Sequence, residues 1–372
     1  MAHFPQTGAA LLSLVVVAGP AVLGLLAGLY ICRPSPYFLA TAIALTAAIL
    51  GCDGWIIAHR HWIAGGLALP AQIACLIFLD GYAASPLPAP APLSDLLPSA
   101  SPPAGMALFA LPTGMNRRTA AFAYRGGSPW EKRDFVLAAV LVRHPKGDVV
   151  IDTGLGKTIV SQLRQAPCLF RLGTNLERSR TAADQLDAAG YDRKHLRYIL
   201  LTHTHWDRVS GAPDFPGVPV LVTVAERQFI GEGGWATTTA QGVNAAAFQE
   251  YTFDGGAYLG FTHSRDLYDD GSIVIVPAPG HTPGSVIVFV TLPGDARFAF
   301  IGDLVWRFEG FLERNPLPWF EAKTIGEDPV AFRQTLLQVS AIATRYPQIT
   351  IVPAHDPRGY AGIPEWSRST LR

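Results

Sequence analysis

Charge is scarce in this chain. Asp, Glu, Lys and Arg make up 16% of its 372 residues, and the mean hydropathy is +0.24, more apolar than a soluble domain of this size requires. Cysteine is also rare. Of the four present, Cys32, Cys52 and Cys75 lie in or beside apolar runs and Cys168 stands alone, so neither a disulfide framework nor a cysteine-rich metal site is expected. Neither sign of charge is in surplus. The 29 basic residues match 29 acidic ones, so the surplus of positive charge usual in a nucleic-acid-binding chain is missing and no nucleic-acid partner is expected. A Gly-x-Ser-x-Gly elbow is missing, which argues against a serine hydrolase. No internal repeat is visible.

The missing charge is missing mainly from the front. Residues 8–31, 34–52 and 62–79 contain none, and each run is about as long as the roughly 18–20 apolar residues that cross a bilayer core as a helix. A cleaved signal peptide would need a basic start and a shorter apolar stretch, and no further runs behind it. The sequence therefore predicts a membrane domain over 1–84 with three transmembrane helices in contact with the lipid bilayer. This makes the chain a multi-pass integral membrane protein. Asp53 and Asp80, at run ends, are expected at headgroup level. Arg33 and Arg60 give opposing orientation signals, so the side of the membrane facing the rest of the chain stays open. Residues 85–105 form a Pro/Ala-rich linker, read as an extended spacer, and 106–372 form the catalytic domain.

In that last region β-branched runs alternate with helical patterns. Strands are expected over 135–142, 149–151, 198–201, 220–224, 272–276, 286–291, 298–301 and 349–352, with helices over 182–189, ending at Gly190, and over 329–345. Several strands run directly into polar motifs, which puts the chemistry at strand ends. The densest motif is Leu201-Thr202-His203-Thr204-His205-Trp206-Asp207-Arg208. Two imidazoles and a carboxylate on one short turn suit zinc, iron or manganese. Further ligand types follow other strands, in Gly280-His281-Thr282-Pro283-Gly284, Gly302-Asp303 and Ala354-His355-Asp356. Gly280 and Gly284 are expected to permit close backbone approach around His281.

The ordered set of Asp152 in an Ile-Asp-Thr-Gly turn, His203, His205, Asp207, His281, Asp303 and His355 resembles the five motifs of the metallo-β-lactamase fold superfamily, over roughly residues 106–358. The likeness implies an α/β fold, a four-layer αβ/βα sandwich with metal at one edge of its two sheets. By the same likeness His203, His205 and His281 hold a first metal, Asp207 and His355 a second, and Asp303 bridges them. Asp152 then supports ligand orientation from behind. The cofactor implied is zinc, one or two ions per chain, with manganese or iron as alternatives.

The pattern is broken at Arg208, where most dinuclear hydrolases of the superfamily carry histidine. A guanidinium offers no lone pair. Either Asp207, Asp303, His355 and a bridging hydroxide keep a weaker second metal, or Arg208 pairs with Asp207 or Asp303 and its charge replaces part of that metal's role. The order of motifs lies nearest the lactonase and glyoxalase II-type branches. Lactonases of that branch place tyrosine where this chain has Trp306, and an indole N–H can donate to a substrate carbonyl but has no hydroxyl. The expected activity is therefore membrane-anchored, metal-dependent hydrolysis of an ester, lactone or thioester in a small molecule. A metal that lowers the pKa of water from about 15.7 to about 7 supplies hydroxide, and Asp207 orients it and carries a proton. Two other readings stay open: a non-catalytic metal-binding regulatory module, and iron-dependent oxygen or persulfide chemistry on the same fold. The apolar loop 306–320 is read as a pocket wall or as core packing, and the oligomeric state is left open.

Overall fold

The structure, a computed structural model, describes residues 79–367. The three apolar runs lie outside the described residues except for Leu79. Among the described residues no helix is long and apolar enough to cross a membrane.

The chain divides into two units. The smaller, in its described part, gathers residues 79–85, 119–131 and 317–321. Within it Arg125 donates to the carbonyls of Ala83 at 2.8 Å and Asp80 at 2.6 Å, and Tyr82 donates to Glu321 at 3.1 Å.

The larger unit carries two sheets. One has seven strands in the order β4-β1-β2-β3-β5-β6-β7 and the other five in the order β12-β11-β10-β9-β8. In the first, β2 (Lys132–Arg143), β3 (Asp148–Ile151), β5 (Leu196–Leu200) and β6 (Val220–Thr223) form the centre, flanked by β1 (Ala107–Thr119), β4 (Leu176–Arg178) and β7 (Phe248–Tyr251). Strands β3, β5, β6 and β7 run parallel. The second comprises β8 (Arg265–Asp266), β9 (Ile273–Pro277), β10 (Val286–Thr291), β11 (Arg297–Phe300) and β12 (Ile349–Val352). There β10 is antiparallel to both neighbours while β11 and β12 are parallel.

Burial explains the layering. Every residue of β3, β6 and β10 is buried, as expected of strands covered on both faces. Val140, Val149, Ile151, Leu200, Ile275, Val288 and Phe300 pack between the sheets. The outer face of the first sheet is covered by α1 (Ala182–Ala189), through Ala182, Ala183 and Leu186. The second is covered by α2 (Pro329–Arg345), whose Phe332, Leu336, Val339 and Ile342 form one apolar stripe. This is the four-layer α/β sandwich. Both helices are bounded by ordinary caps. Thr181 accepts from the Asp184 amide and Gly190 ends α1 at φ 82°, while Asp328 accepts from the Val330 and Ala331 amides ahead of α2.

Residues 86–103 contain no regular element and lie along the larger unit. Leu87, Leu93 and Leu97 pack against the α2 cluster, and Asp95 accepts from the Gly260 amide at 2.7 Å. Trp306 and Phe311 are buried, Phe311 within that same cluster, whereas Trp319 and Phe320 are exposed. Within the loop 306–320, Phe311 is thus core packing, while Trp306 is buried outside that cluster.

The C-terminal ends of β3 and β5 point the same way, as do those of β9, β11 and β12. From these ends emerge Asp152, the 201–208 turn, His281, Asp303 and His355.

Candidate metal centre

Two groups of three buried side chains assemble at those ends: His203, His205 and His281, and beside them Asp207, Asp303 and His355. Within each, one ligand atom per residue lies within 4.8 Å of the others. In the first group the His281 Nε2 and His205 Nδ1 atoms are 2.9 Å apart, and Asp303 Oδ2 lies 3.5 Å from His281 Nε2 and 3.7 Å from His203 Nε2. In a tetrahedral centre with bonds near 2.0–2.2 Å, neighbouring ligand atoms stand roughly 3.3–3.6 Å apart. The separations from Asp303 match that spacing closely, and the two imidazole nitrogens, at 2.9 Å, stand closer than it. His203 Nε2 is buried without a hydrogen-bond partner, as a ligand atom awaiting a cation would be, and Asp207 Oδ2, also without one, has the Arg208 guanidinium 3.2 Å away. Burial, chiefly, pulls the His203 imidazole well below its ordinary value and His281 down to about 4. The rings are therefore neutral with lone pairs free, the form that binds metal.

The turn holding His203 is supported from β3. Asp152 adopts φ 52°, and its carboxylate accepts from the Thr202 amide at 2.7 Å and from the Thr202 hydroxyl at 2.8 Å. The Thr202 oxygen lies 3.3 Å from His203 Nδ1. With the hydroxyl proton committed to Asp152, Nδ1–H donates to Thr202 and leaves Nε2 facing the centre. Asp152 thus reaches the His203 ring through Thr202. Burial raises its carboxyl to about 7 against the lowering effect of Arg208.

Arg208 sits inside the second group. Its Nη2 donates to Asp303 Oδ1 at 2.6 Å and to His355 Nε2 at 2.8 Å, and lies 3.2 Å from Asp207 Oδ2. His355 Nδ1 faces the Val136 carbonyl at 3.0 Å, so its Nε2 is the acceptor. Trp306 stands edge-on to the His355 ring at 6.1 Å between centroids and to Phe135 at 6.3 Å.

Two buried carboxyls escaped the sequence reading. Glu226 takes the Thr204 amide at 2.7 Å and hydroxyl at 2.6 Å on one oxygen, and the Thr282 hydroxyl at 2.7 Å and Gly284 amide at 3.1 Å on the other. It ties the turn of His203 and His205 to the turn of His281. Its only signal is Thr223-x-x-Glu226 opening α3 (Val224–Glu232), which reads as a capping box. Thr223 does cap the Glu226 amide at 3.1 Å, but the carboxylate is used elsewhere. The other is Glu327. Its Oε2 lies 3.9 Å from His281 Nδ1, and burial pushes it up to about 8. It stands in a loop before α2 with no motif around it.

Gly284 lies so close to Glu226 that a Cβ there would land on the Glu226 backbone nitrogen and Cβ; Gly280, at φ 141°, would meet the Phe332 nitrogen at 2.6 Å. Replacing Glu226 with Ala strands several buried donors. It is expected to cost roughly 3 kcal/mol or more in urea unfolding and to weaken metal binding by about 10–100-fold. Gly284→Ala is expected to cost about 1–3 kcal/mol. Gly231→Ala, in α3 with open space around it, should be neutral or stabilising by up to about 1 kcal/mol in the same measurement.

The Metallo-beta-lactamase superfamily model matches residues 134–355, a span that contains every residue of both groups. The chain belongs to this superfamily. It is an enzyme of the metal-dependent hydrolase class. Among its relatives is Probable metallo-hydrolase Rv2300c of Mycobacterium tuberculosis, 30% identical over 241 residues that cover 59% of this chain and 74% of that one. N-acyl homoserine lactonase AttM of Agrobacterium fabrum is 25% identical over 241 residues, covering 60% and 82%. In fold the chain is similar to an N-acyl homoserine lactone hydrolase solved with N-hexanoyl-L-homoserine at its catalytic metal centre. That likeness has a TM-score of 0.56 at 16% identity, over 70% of this chain and 96% of that one.

Proposed function

We propose that this protein is a membrane-anchored hydrolase of ester, lactone or thioester bonds, with acylated lactones as the favoured class. The observation that carries the reading is the buried trio His203, His205 and His281, with neutral rings converging beside Asp303. Two lines lend support. Relatives bear lactonase names, and the motif order matches the lactonase branch.

These residues would hold a divalent ion such as zinc, and an ion so held supplies Lewis acidity that polarises a carbonyl and makes water nucleophilic at neutral pH. The chain's own part is positional and protonic. Thr202 and Glu226 fix the two ligand turns. Asp207 Oδ2, which has no hydrogen-bond partner, accepts the proton of the attacking water and passes it to the leaving oxygen. Arg208 sets a permanent positive charge beside the reacting carbonyl's developing negative charge. Trp306 walls the site next to His355. The boundary at 106, the Pro/Ala-rich segment over 85–105 and the three membrane segments belong to the same reading, supported by the uncharged runs up to Leu79 and the Pro-rich composition after it.

The test is a panel of lactones, esters and thioesters hydrolysed by the full chain in detergent with zinc, manganese or iron. Lactone turnover is the expected result. If the site contacts the acyl chain, kcat/KM should rise by about 4-fold per methylene while methylenes continue to be buried. Equal efficiency across chain lengths removes the acyl pocket. Bound metal with no turnover on the panel supports the regulatory module, a reading favoured by Arg208 within the second group. Iron in the isolated protein points to oxygen or persulfide chemistry.

A further inference from the structure

We propose that this chain carries a single metal ion and that the Arg208 guanidinium permanently occupies the position of the second. The inference rests on the hydrolase reading only in taking the three-histidine group as the metal site.

The three atoms that face a second ion already face Nη2 of Arg208. Asp303 Oδ1, His355 Nε2 and Asp207 Oδ2 lie 2.6, 2.8 and 3.2 Å from it. A zinc ion held by these residues would need contacts of about 2.0–2.2 Å to the same groups. Ion and nitrogen therefore exclude each other. The tautomer agrees, because His355 Nδ1 is engaged with the Val136 carbonyl at 3.0 Å and its Nε2 lone pair is left for one cation. The two protons on Nη2 find two acceptors, Asp303 and His355.

The arginine is also fixed at its root. It is fully buried, and its carbonyl accepts from the Thr153 amide at 2.8 Å and hydroxyl at 2.6 Å. Asp152 Oδ2 stands 4.0 Å from its Nε. To admit a metal, the side chain would have to leave three carboxylates and find another place for a charge that does not deprotonate. A divalent ion beside a buried guanidinium would also meet strong repulsion with little solvent screening. The two groups thus divide the labour. The histidines, with Asp303 Oδ2 on their flank, take the exchangeable ion, and Arg208 supplies a cation that no chelator removes. Asp303 faces a metal with one oxygen and a guanidinium with the other, where a dinuclear centre would have it bridge two ions.

Metal counting tests this without reference to turnover. The full chain in detergent is saturated with zinc, dialysed to equilibrium and analysed for metal per chain, alongside His281→Ala, His355→Ala and Arg208→His. The expected result is one equivalent in the wild type and in His355→Ala, and close to none in His281→Ala. Arg208→His, which restores an imidazole, should approach two. Two equivalents in the wild type would overturn the inference and leave the hydrolase reading standing, whereas loss of the ion in His355→Ala with retention in His281→Ala would overturn both, because it moves the ion out of the histidine trio. A wild type that binds none would overturn both. Should Arg208→His fail to fold, cobalt substitution of the wild type decides: saturation of the visible bands at one equivalent supports the single site, and a second set of bands between one and two equivalents contradicts it.

Discussion

His281→Ala is expected to lose lactone turnover by well over 100-fold while remaining folded. Changing a residue that merely orients a ligand typically costs 10–100-fold in metal affinity or activity, and His281 is placed as a ligand itself. Its Nε2 lies 2.9 Å from His205 Nδ1 and 3.5 Å from Asp303 Oδ2, so its removal opens the trio at the centre. Stability should suffer less than activity. Deleting an imaginable core packing residue costs transfer and cavity energy, but His281 is a buried, neutral, desolvated ring whose loss removes a polar burden along with its packing. The check is kcat/KM on a lactone together with a urea unfolding curve on the same preparation. Loss of activity with a nearly unchanged midpoint assigns the effect to the site, whereas retained turnover would remove His281 from it.

Arg208→Ala carries the largest expected cost in stability, about 3–5 kcal/mol. Burial alone pushes the Asp303 carboxyl up; Arg208 first, then His355 and His203, outweighs it and holds the group well below the usual carboxylate range. Without the guanidinium, Asp207 and Asp303 face each other's charge with no cation between them. The defect should also respond to metal. Vacating the position lets an ion enter among Asp207, Asp303 and His355, and an ion that binds only the folded state stabilises it by mass action. Unfolding curves with and without excess zinc should therefore differ more for Arg208→Ala than for the wild type. An equal response in both would show that the arginine does not occupy an ion's place.

Much of this was legible in the sequence because strand and motif coincide. The helix over 182–189, bounded by Thr181 and Gly190, lies where its cap residues put it, and the helix over 329–345 begins at Pro329 behind the Asp328 cap. The strands that deliver His281, Asp303 and His355 were visible as short apolar runs ending in Gly or Pro. Strand β1 was not. Its sequence, Ala-Leu-Phe-Ala-Leu-Pro-Thr-Gly-Met-Asn-Arg-Arg-Thr, includes proline and glycine and follows a Pro-rich stretch, so its pairing is decided by tertiary contacts rather than local preference. Glu226 was hidden for a different reason. A glutamate three residues after a threonine has a sufficient local explanation, and nothing in the sequence says that its carboxylate reaches Thr204 and Thr282. Arg208 was visible as an anomaly, but two geometries were open to it. Only the distances to Asp303 and His355 distinguish an arginine beside a metal from one in its place.

The account depends on an ion held by His203, His205 and His281 being the ion that hydrolysis requires. The most direct measurement follows metal content and lactone turnover together as the full chain is stripped by chelator and then resupplied with zinc. Activity should fall in proportion to the histidine-bound metal, vanish with it and return on its replacement. Undiminished turnover by metal-free protein would contradict the account.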